Sequence, residues 1–218
     1  MSDGDSIPRP VTERMGLYLR ELERLAREGG ESVSSARLGE ALGFTAAQVR
    51  KDLSHFGQLG RRGYGYGVEH LAQALRTLLA LDRPWRVALV GAGNIGRALC
   101  AHRTFRERGF NIVALFDSDP RKEGCTWARL KVLPMSQLRR TVRELGIELG
   151  IIAVPGDAAQ GVADQLAAAG VRGILNFAPT RVTCPGGIPV RSVDFTADIE
   201  QLAFLVACQA RREQASDA

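Results

Sequence analysis

Cysteine and histidine are scarce in this chain, which has four Cys and three His among its 218 residues. The cysteines are far apart and form no CxxC or Cys/His spacing of the kind that holds zinc, so we expect no metal. No apolar run approaches the roughly eighteen residues of a membrane span, and the acidic, polar N-terminus MSDGDSIPRP lacks the pattern of a signal peptide. A reducing, cytoplasmic location without contact to a membrane is therefore expected.

The chain also lacks a large excess of charge of either sign. The net charge is +5, but residues 1–85 carry 12 Lys and Arg against 11 Asp and Glu. A basic surface in that region must therefore come from local clustering and not from an overall excess of charge. The length and the 45% hydrophobic content allow two small domains with cores of their own.

The first domain, residues 1–82, has a helical pattern. Apolar residues at four-then-three spacing predict a first helix that ends at Gly29-Gly30, and they are Val11, Met15, Tyr18, Leu22 and Leu25. Ser34-Ser35 can cap a short second helix, and Gly43 allows a sharp turn after it. Thr45-Ala46-Ala47-Gln48 has the pattern of a capping box, in which the Thr hydroxyl and the Gln amide satisfy each other's backbone N–H groups at the start of a third helix.

This order of helices is typical of a helix-turn-helix, whose last helix enters the major groove of DNA. In the third helix, Val49, Leu53 and Phe56 share one side, and a small basic face lies opposite. The glycine-rich stretch RRGYGYG, residues 61–67, predicts a tight hairpin that would be the wing. The residues expected to contact DNA are Ser34, Ala47, Gln48, Arg50, Lys51, Ser54, Arg62 and Tyr64. The alternative is an ordinary three-helix bundle with a solvated basic face.

The second domain, residues 83–194, opens with the apolar strand WRVALV and the motif GAGNIG. In a dinucleotide site of this pattern the first glycine makes the turn, the second lets the pyrophosphate approach, and the third lets the helix pack on the strand. The helix N-terminus supplies N–H groups for the phosphates. The motif residues expected to bind the cofactor are Gly91, Ala92, Gly93, Asn94, Ile95 and Gly96. A purely structural glycine turn is the alternative.

The next apolar run ends at Asp117, whose carboxylate can accept hydrogen bonds from the adenosine ribose. The same carboxylate would repel a 2′-phosphate, so NAD and NADH are favoured over their phosphorylated forms. Arg121 and Lys122, in the following loop, can weaken that exclusion.

Further strand and helix units predict a parallel sheet, with strands at 149–154 and 173–177 and a helix at 157–169. Their strand ends would line the nicotinamide half of the site with Val154, Pro155, Asn176, Phe177 and Ala178. Almost nothing remains of the chain for a substrate domain with a general acid or base, so no catalytic residue is assigned. We therefore expect a sensor of NAD and NADH and not an enzyme. The alternatives are a small NAD-dependent oxidoreductase and a CoA- or nucleotide-binding regulatory subunit.

Together these motifs resemble the Rex family of bacterial redox-sensing transcriptional repressors. The resemblance covers nearly the whole chain, through QVRKDLS, RRGYGYG, GAGNIG, FDSDP and ILNFAP. It implies a homodimer that represses genes of NADH oxidation and anaerobic metabolism from a palindromic operator, and that leaves the operator when NADH binds. The residues that would couple cofactor to DNA are Arg20, His102, Asp194 and Phe195. His102 stands where the family commonly has Tyr.

The C-terminal segment, residues 195–213, predicts a helix too apolar to lie on the surface of a monomer. A second subunit is expected to bury it, and the resemblance implies that the subunits exchange this helix. A core helix within one subunit is the alternative, and residues 214–218 are expected to form a polar tail. The predicted fold class is thus α/β, with a winged helix-turn-helix domain, a Rossmann-type doubly wound parallel sheet and an exchanged C-terminal helix.

Overall fold

A computed structural model describes residues 8–57, 59–60 and 64–216 of the chain. The chain divides after Arg83 into two compact units, which are described separately. None of the helices in the described residues combines the length and the apolar character needed to cross a bilayer.

The first unit has the architecture of a winged helix-turn-helix, as predicted. Its helices are α1 (Arg9–Arg27), α2 (Ser35–Leu42), α3 (Ala46–Ser54) and α4 (Val68–Leu78), and its strands are β1 (Ser32–Val33) and β2 (Tyr66–Gly67). The two strands pair antiparallel, Ser32 with Gly67 and Val33 with Tyr66. Residues 61–63 of the predicted wing lie outside the described residues.

The apolar stripe of α1 forms the centre of this unit's core. Met15, Tyr18 and Leu22 are fully buried and pack in one cluster with apolar side chains of the other three helices. The helix ends where the glycine pair predicts. Gly29 has a φ of +78°, and the N–H of Gly30 donates to the carbonyl of Leu25 at 2.9 Å. This left-handed ending satisfies carbonyls that the last turn would otherwise leave without a donor.

The starts of α2 and α3 are also confirmed, but the predicted capping box is only half right. The Thr45 hydroxyl accepts from the N–H of Gln48 at 3.1 Å, and the Ser34 hydroxyl caps α2 in the same way. The Gln48 amide does not reach back to the cap, and its Nε2 donates to the Asp52 carboxylate at 2.7 Å. Residues four apart share a helix face, and a hydrogen bond to a charged acceptor is stronger than one between two neutral groups.

The second unit is a twisted sheet with helices on both faces. Its strands are β3 (Trp85–Val90), β4 (Phe110–Asp117), β5 (Thr126–Trp127), β6 (Leu130–Pro134), β7 (Leu149–Ile152), β8 (Gly173–Asn176) and β9 (Val190–Ser192), and its helices are α5 (Asn94–Ala101), α6 (Arg103–Glu107), α7 (Leu138–Glu144), α8 (Gly156–Ala169) and α9 (Phe195–Ser216). The strand order is β5-β6-β4-β3-β7-β8-β9, with only β5 antiparallel to its neighbour. From β6 onward this is the order of the dinucleotide-binding fold, which confirms the predicted Rossmann-type sheet.

The apolar strand β3 explains why the sheet is covered on both faces. Ala88 and Val90 belong to one buried cluster, whereas Val87 and Leu89 belong to another. Successive side chains of a strand point to opposite faces, so a strand that is apolar at every position needs a layer on each side.

Helix α9 exposes most of its large apolar side chains to solvent. Its large apolar side chains are between 52% and 67% exposed, and they are Phe195, Ile199, Leu202, Phe204, Leu205 and Val206. The alternative of a core helix within one subunit is therefore wrong. The helix also continues to Ser216, so residues 214–216 of the predicted polar tail are helical.

Candidate functional site

The exposed face of α3 carries the small and basic residues that the sequence predicts there. Ala47, Arg50, Lys51 and Ser54 are all exposed. The Arg50 guanidinium donates to the Ser35 hydroxyl at 3.0 Å, and the Ser54 hydroxyl donates to the carbonyl of Lys51 at 2.7 Å. The guanidinium of Arg50, the ammonium group of Lys51 and the hydroxyl of Ser54 thus share a face that could contact phosphates and base edges.

The opposite side of α3 holds a buried charge that the sequence analysis missed. Asp52 is only 1% exposed. Its carboxylate accepts from the Arg14 guanidinium at 2.8 Å, from the Tyr18 hydroxyl at 2.8 Å and from the Gln48 amide at 2.7 Å. Burial alone would raise the pKa of Asp52, but the bonds from Arg14, Tyr18 and Gln48 hold it below its usual value. Arg14 and Tyr18 are 38 and 34 residues away, so no local pattern signals them.

The described part of the predicted wing begins at Tyr64 and leads into β2, which pairs with β1. Tyr64 is 85% exposed, and Ser34, at the start of α2, is exposed as well. Gly65 has a φ of +82°, and a Cβ there would lie 2.5 Å from the carbonyl oxygen of Val33. Glycine is therefore needed where the hairpin approaches β1. Arg62 lies outside the described residues.

The glycine loop after β3 has the local geometry that a dinucleotide site requires. A Cβ on Gly91 would lie 2.3 Å from the carbonyl oxygen of Ala153, and one on Gly96 would lie 1.9 Å from that of Gly91. These glycines let the loop, the helix and the neighbouring strand pack together. A Cβ on Gly93 would meet nothing within 4 Å, so the backbone is open on the side where a pyrophosphate would approach. Asn94 and Ile95 start α5 and are exposed, and no side chain caps this helix.

Asp117, at the end of β4, is held in place by three donors. The N–H of Ala92 donates to it at 2.7 Å, the N–H of Asp119 at 2.8 Å and the Lys122 ammonium at 2.9 Å. Burial opposes its ionisation, but the bonds from Lys122 and from the two backbone N–H groups keep its pKa below the usual value. The carboxylate is thus a fixed anion that one cation already neutralises. Arg121 instead pairs with Asp119 at 3.0 Å.

A cleft of about 490 Å³ joins these features at the carboxyl ends of the neighbouring strands β3 and β7. In this fold, ligands bind beyond the carboxyl ends of the two adjacent strands at which the strand order reverses. Predicted cofactor residues in its lining are Gly91, Gly93, Asp117, Val154 and Pro155. The ionisable groups in the lining are Asp117, Asp119 and Lys122, and each of them is in an ion pair.

The end of β8 is built differently from the end of β7. Asn176 is fully buried, and its side chain bonds to both the N–H and the carbonyl of Ala178 and to the carbonyl of Thr180. Asn176 therefore shapes the loop that follows the strand, and Ala178 is buried in it. Phe177 is partly exposed, and its ring lies 6.1 Å from that of Phe195, between centroids.

The four predicted coupling residues are divided between the units. Arg20 is exposed on α1 of the first unit. His102 ends α5, about 12 Å along the helix from the glycine loop, and its ring contacts Phe105 at 5.2 Å between centroids. Asp194 caps α9, because its carboxylate accepts from the N–H groups of Thr196 and Ala197, each at 3.1 Å.

The described part of the chain offers no cluster of metal ligands. No group of three or more His, Cys, Asp or Glu residues there could hold a metal ion. The cleft itself is lined by no His, Cys or Tyr, and its ionisable side chains are the two carboxylates and the ammonium group named above.

Comparisons with known proteins agree on the family. A family model described as "Putative DNA-binding protein N-terminus" matches residues 6–54, and one described as "CoA binding domain" matches residues 82–180. The redox-sensing transcriptional repressor Rex of Carboxydothermus hydrogenoformans is 50% identical over 201 residues, covering 92% of this chain and 97% of that protein. The repressor of the same name from Thermotoga petrophila is 47% identical, covering 92% and 96%.

A solved structure also matches along the whole length. RSP, a Rex-family repressor, is 31% identical with a TM-score of 0.89, covering 97% of this chain and 99% of RSP. RSP in complex with β-NAD⁺ and operator DNA is 31% identical with a TM-score of 0.91, covering 98% and 99%. RSP in complex with β-NADH is 30% identical with a TM-score of 0.87, covering 97% and 99%.

Proposed function

The chain belongs to the Rex family of redox-sensing transcriptional repressors, and we propose that it binds operator DNA through α3 and leaves that DNA when NADH occupies the cleft of its second unit. It is a redox-sensing repressor and not an enzyme. The assignment of individual residues below is part of the proposal.

On the DNA side, α3 would lie in the major groove with Ala47, Gln48, Arg50, Lys51 and Ser54 toward the duplex. Arg50 is the residue best suited to a guanine, because its planar fork can bond to two acceptors of one base. Phosphates would be held by Lys51 and by hydroxyl groups. The wing would add Arg62 and Tyr64, and Ser34 would contact the backbone beside α2.

On the cofactor side, the cleft would hold NAD or NADH along the carboxyl edge of the sheet. The pyrophosphate would lie over Gly93 and the free N–H groups at the start of α5, flanked by Asn94 and Ile95. Asp117 would bind the adenosine ribose, with Ala92 holding the carboxylate in place. Val154, Pro155 and Phe177 would border the nicotinamide, and the buried Asn176 and Ala178 would support that border.

A second copy of the chain would cover the apolar surface of α9. A helix with this much exposed apolar area gains free energy when a partner buries it. A twofold dimer presents two reading helices, so its operator should be palindromic. A cytoplasmic location is part of the proposal, since the repressor needs access to both DNA and NADH.

The observation that carries the proposal is one chain that combines an exposed basic helix-turn-helix face with a cleft built to read a dinucleotide. The ionisable groups in that cleft form ion pairs, Asp117 with Lys122 and Asp119 with Arg121. Such a site can bind a cofactor and report its state.

Operator titration tests the proposal directly. A fluorescent duplex enriched from a randomised palindromic pool would be titrated with the protein at fixed salt, alone and with NADH or NAD⁺, alongside an assay for cofactor turnover. NADH should weaken operator binding by about 5- to 150-fold, which is the range of typical allosteric couplings, and NAD⁺ should weaken it much less. Operator binding that ignores NADH would overturn the proposal, and turnover of NADH would favour an oxidoreductase.

A further inference from the structure

The buried carboxylate of Asp52 joins α3 to α1 through hydrogen bonds. Three side chains donate to it, and two of them, Arg14 and Tyr18, come from α1. A buried ion pair is a weak source of stability, because desolvation offsets most of the attraction. In some proteins such a pair instead restricts the elements that it joins to one arrangement.

The position of Asp52 on α3 decides which motion of this helix the Arg14–Asp52 ion pair opposes. Each residue turns an α-helix by about 100°, so Asp52 lies about 200° around the axis from Arg50. The carboxylate therefore anchors α3 on the side away from the exposed face. A rotation of α3 about its own axis, which would move Arg50 and Lys51 relative to a groove, would break the bonds to α1.

The same network continues into the turn before α3. The Tyr18 ring contacts the Phe44 ring edge-on at 6.0 Å between centroids, and the Arg14 guanidinium lies 6.0 Å from the centre of the same ring. Gly39 permits this turn, because a Cβ there would lie 2.4 Å from the carbonyl oxygen of Phe44. Arg14 and Tyr18 thus hold both the turn before α3 and the last turn of α3.

Gln48 is the point where this network reaches the exposed face. It is partly exposed, and its amide nitrogen donates to Asp52 at 2.7 Å. The bond fixes the side chain in one orientation, so one amide hydrogen is committed to the protein before any base is met. A pre-ordered side chain loses less conformational entropy when it binds.

We infer that Asp52, held by Arg14 and Tyr18, is a positioning residue for sequence reading, because it sets the rotation of α3 and the orientation of Gln48. This inference rests on the proposed function. It assigns Asp52 no contact with DNA and concerns discrimination between sequences, not overall affinity for duplexes.

The test compares Asp52→Asn with Glu28→Gln in the full-length protein. Both variants replace an acid by its amide and break an ion pair that involves α1, but Glu28 is exposed and its partner Arg24 is itself an exposed residue of α1. Affinity for the enriched palindromic duplex and for a scrambled duplex would be measured at one salt concentration. Circular dichroism and NADH binding would establish that each variant is folded at the temperature used.

Asp52→Asn should lose about tenfold or more of the preference for the palindromic duplex, which is the discrimination carried by one base contact, while its affinity for scrambled DNA stays within about twofold. Glu28→Gln should keep both values. If Asp52→Asn does not fold, Tyr18→Phe takes its place, because it removes one donor to Asp52 and no group of the exposed face, and it should lower the preference in the same direction. A folded variant with the full preference of the wild type overturns the inference. A wild type without any preference overturns the proposed function as well.

Discussion

The pairing of Lys122 with Asp117 leads to a sharp prediction about cofactor choice. The Lys122 ammonium lies 2.9 Å from the carboxylate, whose side chain is only 9% exposed, whereas that of Lys122 is 34% exposed. Replacing Lys122 by Met keeps the length of the side chain and removes its charge. The Asp117 carboxylate then faces the ribose site without a neutralising cation.

The expected magnitude follows from the distances. Two unit charges about 4 Å apart interact by about 4 kcal/mol in a medium of dielectric constant near 20 and by about 1 kcal/mol in water. Because the site is partly open, we expect a change of about 1–2 kcal/mol in the repulsion of a 2′-phosphate. Lys122→Met should therefore widen the preference for NADH over NADPH by about 5- to 30-fold, mainly by weakening NADPH.

Calorimetric titration with both cofactors measures this preference. The control is Arg121→Met, which removes a neighbouring cation that pairs with Asp119 and not with Asp117. Asp117→Ala should act in the opposite direction, because it removes both the ribose contact and the repulsion. If Lys122→Met leaves the preference unchanged, or if Arg121→Met changes it equally, the discrimination does not depend on the Lys122–Asp117 pair.

Three further predictions concern DNA reading, redox coupling and pH. Arg50→Ala should cost about 1–3 kcal/mol of operator binding and relax the preference at one base position. Lys51→Ala should weaken binding to all duplexes alike. If both variants lose as much affinity for specific as for scrambled DNA, base reading by Arg50 is refuted. Asp194→Asn keeps a good cap for α9 but removes the charge, so it should blunt the effect of NADH on operator binding in anisotropy titrations, and a full response would show that the charge is not needed. The folded-state pKa of Asp52 is depressed, so its stabilising effect is complete above the unfolded pKa of about 4 and is lost as the pH falls through the lower folded value. Thermal unfolding below about pH 5 should therefore depend less on pH in Asp52→Asn than in the wild type, and parallel curves would contradict this.

Local signals in the sequence were sufficient for most of the fold. The stripe of α1, the hydroxyl caps of α2 and α3 and the glycine pair after α1 are decided by neighbours within about four residues, and the structure has them as predicted. The parallel sheet followed from apolar strands that alternate with helices. The position of Asp117 at the end of β4 followed from its distance to the glycine loop.

The contacts that the sequence did not reveal join residues from different elements, or involve a side chain with two alternative partners. From its neighbours in the sequence, Asp52 cannot be distinguished from other polar residues of a basic helix, and only the fold brings Arg14 and Tyr18 to it. Gln48 was assigned to the cap because spacing cannot tell a backbone N–H at the helix start from a carboxylate one turn later. Asp194 was assigned through the family resemblance, and its capping of α9 emerged only with the start of that helix.

The cap of α9 matters for how a ligand could act on it. α9 starts at Phe195, whose ring packs on Phe177 at the carboxyl end of β8, and Asp194 holds the first turn through its backbone N–H groups. The parallel strands β7 and β8 end at the same edge of the sheet, and the cleft opens at that edge. We propose that a ligand that shifts the loop after β8 acts on the first turn of α9 through the contact between Phe177 and Phe195. In the proposed dimer, a displacement there would change how the partner covers the exposed apolar residues of α9, which is the kind of differential contact that an allosteric ligand requires.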